Sequence, residues 1–142
     1  MKNKTIVWVS IGLFLSFIFF PNGLGTYTDQ TTLEIIDVSG SMGGVKVEVK
    51  NTGDEIAQGI WIITTVNGGL FGNINIVHEC TGCSACGSTL DPGMIKTENT
   101  LEAGILLGIG AIEITTSAGA TNAEEVSMEK TGFVIGPLAI IG

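Results

Sequence analysis

The feature that most constrains the fold is the strict alternation in the segment VKVEVK, residues 45–50. Three valines alternate with two lysines and a glutamate, so that apolar and charged residues take turns along the chain. Successive side chains of a β-strand point to opposite faces, and this period of two therefore predicts a half-buried strand. The sequence NTGD at 51–54 follows directly and is typical of a tight turn.

Similar short apolar segments recur along the rest of the chain. They lie at 33–38, 59–66, 73–77 and 108–118, and sequences rich in glycine, asparagine or proline separate them. The chain has 21 glycines, and only 14% of its residues are charged, which favours short strands and tight turns over helices. We therefore predict an all-β fold, a β-sandwich of about seven antiparallel strands.

The segment GIWIITTV at 59–66 is the richest in apolar residues and is predicted to be a central strand. Its phase is ambiguous, because Ile60 and Ile62 compete with Trp61 and Ile63 for the inner face. The simplest interpretation places Trp61 in the core.

The beginning of the chain has the layout of a secretory signal. Two lysines precede an apolar run at 6–20, and the sequence PNGLG then ends the run with small and helix-breaking residues. We predict a signal peptide or an uncleaved N-terminal membrane anchor helix over 1–25, a polar lead-in at 26–31 and one domain at 32–142. In both cases the domain is expected outside the cell, secreted or held at the cell surface.

The charge of the chain excludes some classes of partner. Fourteen acidic residues stand against six lysines and no arginine, for a formal net charge of -8. Such a surface repels phosphate backbones, so we expect no nucleic-acid partner, and membrane contact only through the N-terminal segment.

Enzymatic activity has little support in the sequence. The chain has a single histidine, His78, and its acidic residues are expected at solvated, outward strand positions. No Ser/His/Asp set has a plausible order. We predict a protein that is not an enzyme, with no catalytic residue and no cofactor other than a possible zinc ion.

The sequence DVSGSM resembles a metal-binding signature. Asp37, Ser39 and Ser41 match the D-x-S-x-S spacing with which von Willebrand A domains hold Mg²⁺ through oxygen ligands. That site belongs to a doubly wound α/β sheet, whereas here two glycines and a strand follow the motif. We therefore predict a hairpin with SGSMGG as its turn, and we interpret the motif as a decoy. Cation-dependent adhesion is the alternative.

All three cysteines lie in the segment 78–86, HECTGCSAC. His78, Cys80, Cys83 and Cys86 could supply a Cys₃His zinc set. Outside the cell thiols tend to oxidise, so a local disulfide between two of these cysteines, with one left over, is the interpretation that we adopt. The segment is expected to be an irregular loop at one end of the sandwich.

Several segments resemble the framework of a known family. The sequences VKVEVKNTGDEIAQGIWI, LDPGMIKTENT, GIGAIEIT and TGFVIGP resemble the CARDB-type Ig-like domains of prokaryotic exported and surface proteins, over about residues 32–140. The resemblance implies an Ig-like sandwich that serves adhesion or assembly, and it transfers no catalytic residue.

The expected function is that of a non-enzymatic exported or cell-surface module for adhesion, protein–protein interaction or surface assembly. Edge strands or end loops would meet a protein partner or another copy, and the apolar tail 133–141 would present such an edge. The alternative is a small extracellular metal-binding or redox protein that uses the segment 78–86.

Overall fold

The computed structural model describes residues 31–81 and 87–142. Within these ranges the chain forms ten β-strands and two short 3₁₀ helices, and it contains no α-helix. The all-β prediction is therefore confirmed. The predicted signal or anchor helix at 1–25 lies outside the described residues. The strands are β1 Leu33–Ser41, β2 Gly44–Asn51, β3 Ala57–Gln58, β4 Trp61–Gly68, β5 Ile74–Thr81, β6 Thr89–Leu90, β7 Ile95–Asn99, β8 Gly108–Ala120, β9 Ala123–Gly136 and β10 Leu138–Ile141, and the 3₁₀ helices are Leu70–Gly72 and Thr100–Glu102.

The strands form two main antiparallel sheets that pack against each other. The first has the order β1-β2-β7 and the second the order β10-β9-β8-β4-β5, while β3 and β6 form a separate two-stranded ribbon. One cluster of buried residues takes side chains from both sheets, which is the arrangement of a β-sandwich. The side chains at its centre are those of Val45, Val47, Val49, Ile62, Val66, Ile112, Ile114 and Val134.

The predicted hairpin between the first two strands is confirmed, but its turn is shorter than expected. Pairing of β1 with β2 continues as far as the pair Ser41–Gly44, so only Met42 and Gly43 connect the strands. The serines of the predicted turn SGSMGG therefore belong to β1.

The phase of β4 differs from the interpretation that places Trp61 in the core. Ile60 and Ile62 are buried, whereas Trp61 and Ile63 are only half-buried, on the outer side of the sheet. The indole ring of Trp61 lies over Gly119 of β8, where a Cβ atom would collide with it. Glycine on the neighbouring strand thus lets a large ring lie flat on the outer face.

The two sheets meet along one side through backbone contacts. Met42 forms a bridge with Leu138 of β10, and the Gly43 amide donates a 2.7 Å hydrogen bond to the Pro137 carbonyl. Gly40 lies so close to β10 that a Cβ atom there would overlap the Ala139 carbonyl oxygen. This side is closed by the backbone, while the opposite side is bordered by the edge strands β5 and β7.

Asn122 lies in the turn between β8 and β9. Its side chain connects this turn to Thr31, the first described residue, and to the residues around β3. Its side-chain amide donates to Thr31 Oγ1 and to the Ile56 carbonyl, each at 2.9 Å. Its Oδ1 accepts a 2.8 Å hydrogen bond from the Gln58 amide.

No helix of the described residues is long and apolar enough to cross a membrane.

Replacing Gly40 by alanine tests the close approach of β1 and β10. The added methyl group meets backbone rather than a flexible side chain, so Gly40→Ala is expected to destabilise the domain by about 2 kcal/mol or more. Gly104→Ala is the matched control, because no atom lies within 4 Å of the position of its Cβ. The measurement is the urea midpoint of each variant; equal midpoints would contradict this account of the β1–β10 contact.

Candidate functional site

His78 lies on the inner side of β5, between the two sheets. The sequence predicted an irregular segment from this residue onward, but β5 continues to Thr81 and pairs with β4 along its whole length. His78 and Cys80 are buried and alternate with the exposed Glu79. The histidine is therefore held by a regular strand, and its side chain is only 8% exposed.

Glu98 of β7 meets His78 across the space between the sheets. Its Oε2 lies 3.5 Å from His78 Nε2, and its side chain is 7% exposed. The other carboxylate oxygen, Oε1, lies 3.0 Å from Lys96 Nζ. The 3.5 Å separation exceeds the roughly 2.7–3.2 Å of an N–H···O hydrogen bond, and His78 Nε2 is buried without a hydrogen-bond partner.

Glu102, at the end of the second 3₁₀ helix, brings a second carboxylate to the same place. One ligand atom from each of His78, Glu98 and Glu102 lies within 4.8 Å of the other two. Glu102 is exposed, so the cluster reaches from the interior to the surface. An imidazole together with two carboxylates is a ligand set that divalent metal ions accept.

The inner face of the five-stranded sheet carries further buried polar groups beside His78. Thr64 is its cross-strand neighbour on β4, and Thr116 is the next residue across on β8. Both threonines are fully buried, and their hydroxyl oxygens lie 3.3 Å apart. A polar row therefore crosses the sheet, and one of its two hydroxyl groups donates a hydrogen bond to the other.

The side chains of β7 that face the core are not the ones that hydrophobicity would place there. Ile95 is 48% exposed, whereas Glu98 is buried. Thr100, two residues further on, is also buried, and its Oγ1 accepts a 2.9 Å hydrogen bond from the Val45 amide. This contact with β2 fixes which face of the strand turns inward. The expectation that acidic residues lie at outward, solvated positions is thus wrong for Glu98.

The predicted cysteine sites are described only in part. Cys80 is buried, 3% exposed, and forms part of the core cluster. Cys83 and Cys86 lie outside the described residues, so the Cys₃His zinc set and the local disulfide stay predictions. Among the described residues, the groups that meet His78 are carboxylates and not thiols.

Asp37, Ser39 and Ser41 of the DVSGSM motif are half-buried on β1 and have polar neighbours. Asp37 Oδ2 accepts a 2.7 Å hydrogen bond from Ser39 Oγ and lies 3.5 Å from Lys46 Nζ. Ser41 Oγ accepts a hydrogen bond from the Asn99 amide at 3.1 Å. The hydrogen bond between Lys46 and Glu48, followed by the attraction of both carboxylates, raises the pKa of Lys46. A fixed ammonium beside Asp37 disfavours a divalent cation there.

The outer face of the five-stranded sheet carries an exposed apolar surface at one end. Cross-strand pairing puts Ile109 beside Ile135 and Leu138 in one row, and Phe133 beside Ile140 in the next. Each of these five side chains is 44–58% exposed. We call this set the apolar face. It spans β8, β9 and β10 and contains no charged residue.

A second group of apolar residues borders the apolar face. Leu70 and Phe71 of the first 3₁₀ helix line a shallow groove together with Leu107 and Ile109. Phe71 is 96% exposed and has a φ of 67°, in the left-handed region that non-glycine residues rarely adopt. An aromatic side chain is therefore held in solvent by a strained backbone, which is typical of functional positions.

Comparison with known proteins does not assign the chain to a group. No protein-family model matches the sequence, and no curated protein is significantly similar to it. The resemblance to Ig-like surface domains therefore stays a prediction from the sequence.

Replacing His78 by phenylalanine tests whether its imidazole is unpaired in the protein without metal. The change removes a buried, unpartnered nitrogen while keeping a ring of similar size, so stability in a chelator is expected to stay equal or to rise by about 1 kcal/mol. Urea unfolding measures the difference. A loss of more than about 2 kcal/mol would instead show that the contact between His78 and Glu98 stabilises the fold.

Proposed function

We propose that the chain is a non-enzymatic exported or cell-surface module that binds protein through the apolar face. The observation that carries the proposal is the exposed, uncharged set Ile109, Phe133, Ile135, Leu138 and Ile140 on three adjacent strands. Contiguous apolar surfaces of this kind on small domains mark interaction sites. The exported location and the Ig-like identity rest on the sequence alone and are part of the proposal.

The expected strength of this association follows from the size of the apolar face. Burial of one large apolar side chain contributes roughly 1.5–3 kcal/mol. Five such half-exposed side chains together are comparable with the roughly 4–15 kcal/mol that association costs. The bordering residues Leu70, Phe71 and Leu107 are therefore needed to make binding favourable, and we expect moderate affinity.

A second copy of the chain is the partner that the charge distribution favours. The chain carries a formal net charge of -8, so most of its surface repels an identical molecule. The apolar face carries no charge, and two copies can bring it together without placing like charges in contact. A two-fold axis through such a face gives a closed dimer.

The apolar face supports association better than the edge that the sequence suggested. The tail 133–141 forms the end of β9 and all of β10, and β10 is indeed the last strand of its sheet. However, β1 lies along the outer side of β10, with a bridge between Met42 and Leu138. The free backbone groups needed for addition of another strand are therefore partly covered there.

Introducing a charge at the centre of the apolar face is expected to abolish association. Ile135 pairs with Ile109 on one side and with Leu138 on the other, and Ile135→Glu would require burial of a carboxylate. We expect the wild-type domain to dimerise at tens of micromolar concentration in light scattering after size exclusion. Ile135→Glu is expected to stay monomeric.

Ser127→Glu is the matched control, because Ser127 is exposed on the same strand but lies beyond the apolar face. It adds the same charge and is expected to leave the dimer intact. A wild-type chain that stays monomeric at several hundred micromolar, or equal weakening by both variants, would contradict the proposal of self-association through this face.

Replacing Phe71 by asparagine separates stability from association. Asparagine tolerates a positive φ, and Phe71 packs little of its ring in the isolated domain, so the free energy of unfolding is expected to stay equal or to rise by about 1 kcal/mol. Loss of the ring is expected to weaken the dimer at least fivefold. Unchanged association, measured by the same light scattering, would remove Phe71 from the binding surface.

A further inference from the structure

We infer that His78, Glu98 and Glu102 form a binding site for a divalent transition-metal ion, with zinc as the best match, between the edges of the two sheets. This site is independent of the apolar face. It also differs from the predicted Cys₃His set, with which it shares only His78.

The first support is a buried nitrogen without a partner. His78 Nε2 is inaccessible to solvent and makes no hydrogen bond. Its side chain is only 8% exposed, so 92% of it is buried. Buried polar atoms are nearly always paired, and each exception needs a physical explanation. This nitrogen faces the carboxylate of Glu98, and a metal ion between the two would use the lone pairs of both.

The second support is the spacing of the ligand atoms. Zinc bonds to nitrogen and oxygen are about 2.0–2.1 Å long, which at tetrahedral angles separates two ligand atoms by about 3.3 Å. The separation of His78 Nε2 and Glu98 Oε2 is already 3.5 Å. One carboxylate oxygen of Glu102 lies within 4.8 Å of a ligand atom of each of the other two residues. Glu102 is exposed, so its side chain can move closer without repacking the core.

The charges around the cluster favour a divalent cation. Two carboxylates and one lysine, Lys96, leave one net negative charge beside the imidazole of His78. Lys96 contacts Oε1 of Glu98, so Oε2 is the oxygen directed at His78. This division resembles the outer-shell support that orients carboxylate ligands in metal sites.

The ligand set selects a class of metal. Imidazole suits zinc and other late first-row ions, whereas sites built only of oxygen suit magnesium and calcium. A site with one nitrogen and two carboxylate oxygens therefore favours zinc over either of the latter ions. Three protein ligands leave a fourth position for solvent. Because Glu102 is exposed, this position lies near the surface.

The position of the site gives it a structural consequence. His78 belongs to the five-stranded sheet, while Glu98 and Glu102 belong to the strand and 3₁₀ helix at the edge of the three-stranded sheet. A bound ion would cross-link the two sheets on the side that lacks the β1–β10 contact. Metal binding is therefore expected to raise the melting temperature.

Zinc titration of the full chain, followed by calorimetry and by thermal unfolding, tests the inference. We expect one Zn²⁺ per chain and a rise in melting temperature of roughly 10 °C at a hundredfold excess over Kd. Glu102→Gln removes one ligand from an exposed position, where folding is not at risk, and is expected to weaken binding at least tenfold. Glu98→Gln is expected to weaken it further.

Two controls make the outcome decisive. Glu79→Gln changes an exposed carboxylate next to His78 in sequence but on the opposite face of β5, and is expected to bind zinc as the wild type does. The double variant Cys83→Ser/Cys86→Ser is expected to bind zinc equally well.

Three results would overturn the inference. They are no zinc binding below about 100 μM, equal zinc affinity in wild type and Glu102→Gln, and loss of binding in the cysteine double variant, which would assign the ion to the segment 78–86. Calcium or magnesium raising the melting temperature as much as zinc would overturn the assigned class of metal.

Discussion

The structure depends on the burial of one apolar layer shared by two sheets. The valines of β2 share this layer with Ile62 of β4 and with Ile112 and Ile114 of β8, and each of these side chains is at most 1% exposed. Burial of each such side chain contributes roughly 1.5–3 kcal/mol, which makes this layer the main stabilising term. The sides of the sandwich are then free to differ.

The two sides differ in how their polar backbone groups and side chains are satisfied. On one side β1 and β10 approach until backbone meets backbone at Gly40, so no side chain separates the sheets there. On the other side β5 and β7 end their sheets, and the buried side chains of His78 and Glu98 meet between them. Polar groups can be buried on this second side because Lys96 and solvent at Glu102 lie close by.

The all-β class of the fold was predictable from the sequence because period-two alternation is a local signal. The segment VKVEVK predicted β2, and its valines are buried as expected. The phase of β4 was not predictable, because both of its faces carry large apolar residues and only Gly119 on a neighbouring strand lets Trp61 lie outside. Likewise, the burial of Glu98 was not predictable from the sequence. The contact that turns it inward joins Thr100 to Val45, and these residues lie 55 positions apart in the sequence. His78 was identified from the sequence, but its carboxylate neighbours are set by tertiary structure.

The hydrogen bonds of Asn122 fix the position of the first described residue relative to the β8–β9 hairpin. They hold Thr31, where the described chain begins, at the turn end of the β8–β9 hairpin, while Ile109 and Ile135 lie at the opposite end of the same hairpin. The thirteen residues of β8, at roughly 3.3 Å each, separate the two ends by about 40 Å. The proposed binding surface and Thr31 therefore lie at opposite ends of the β8–β9 hairpin. A partner bound at the apolar face would accordingly be held far from the residue at which the described chain begins.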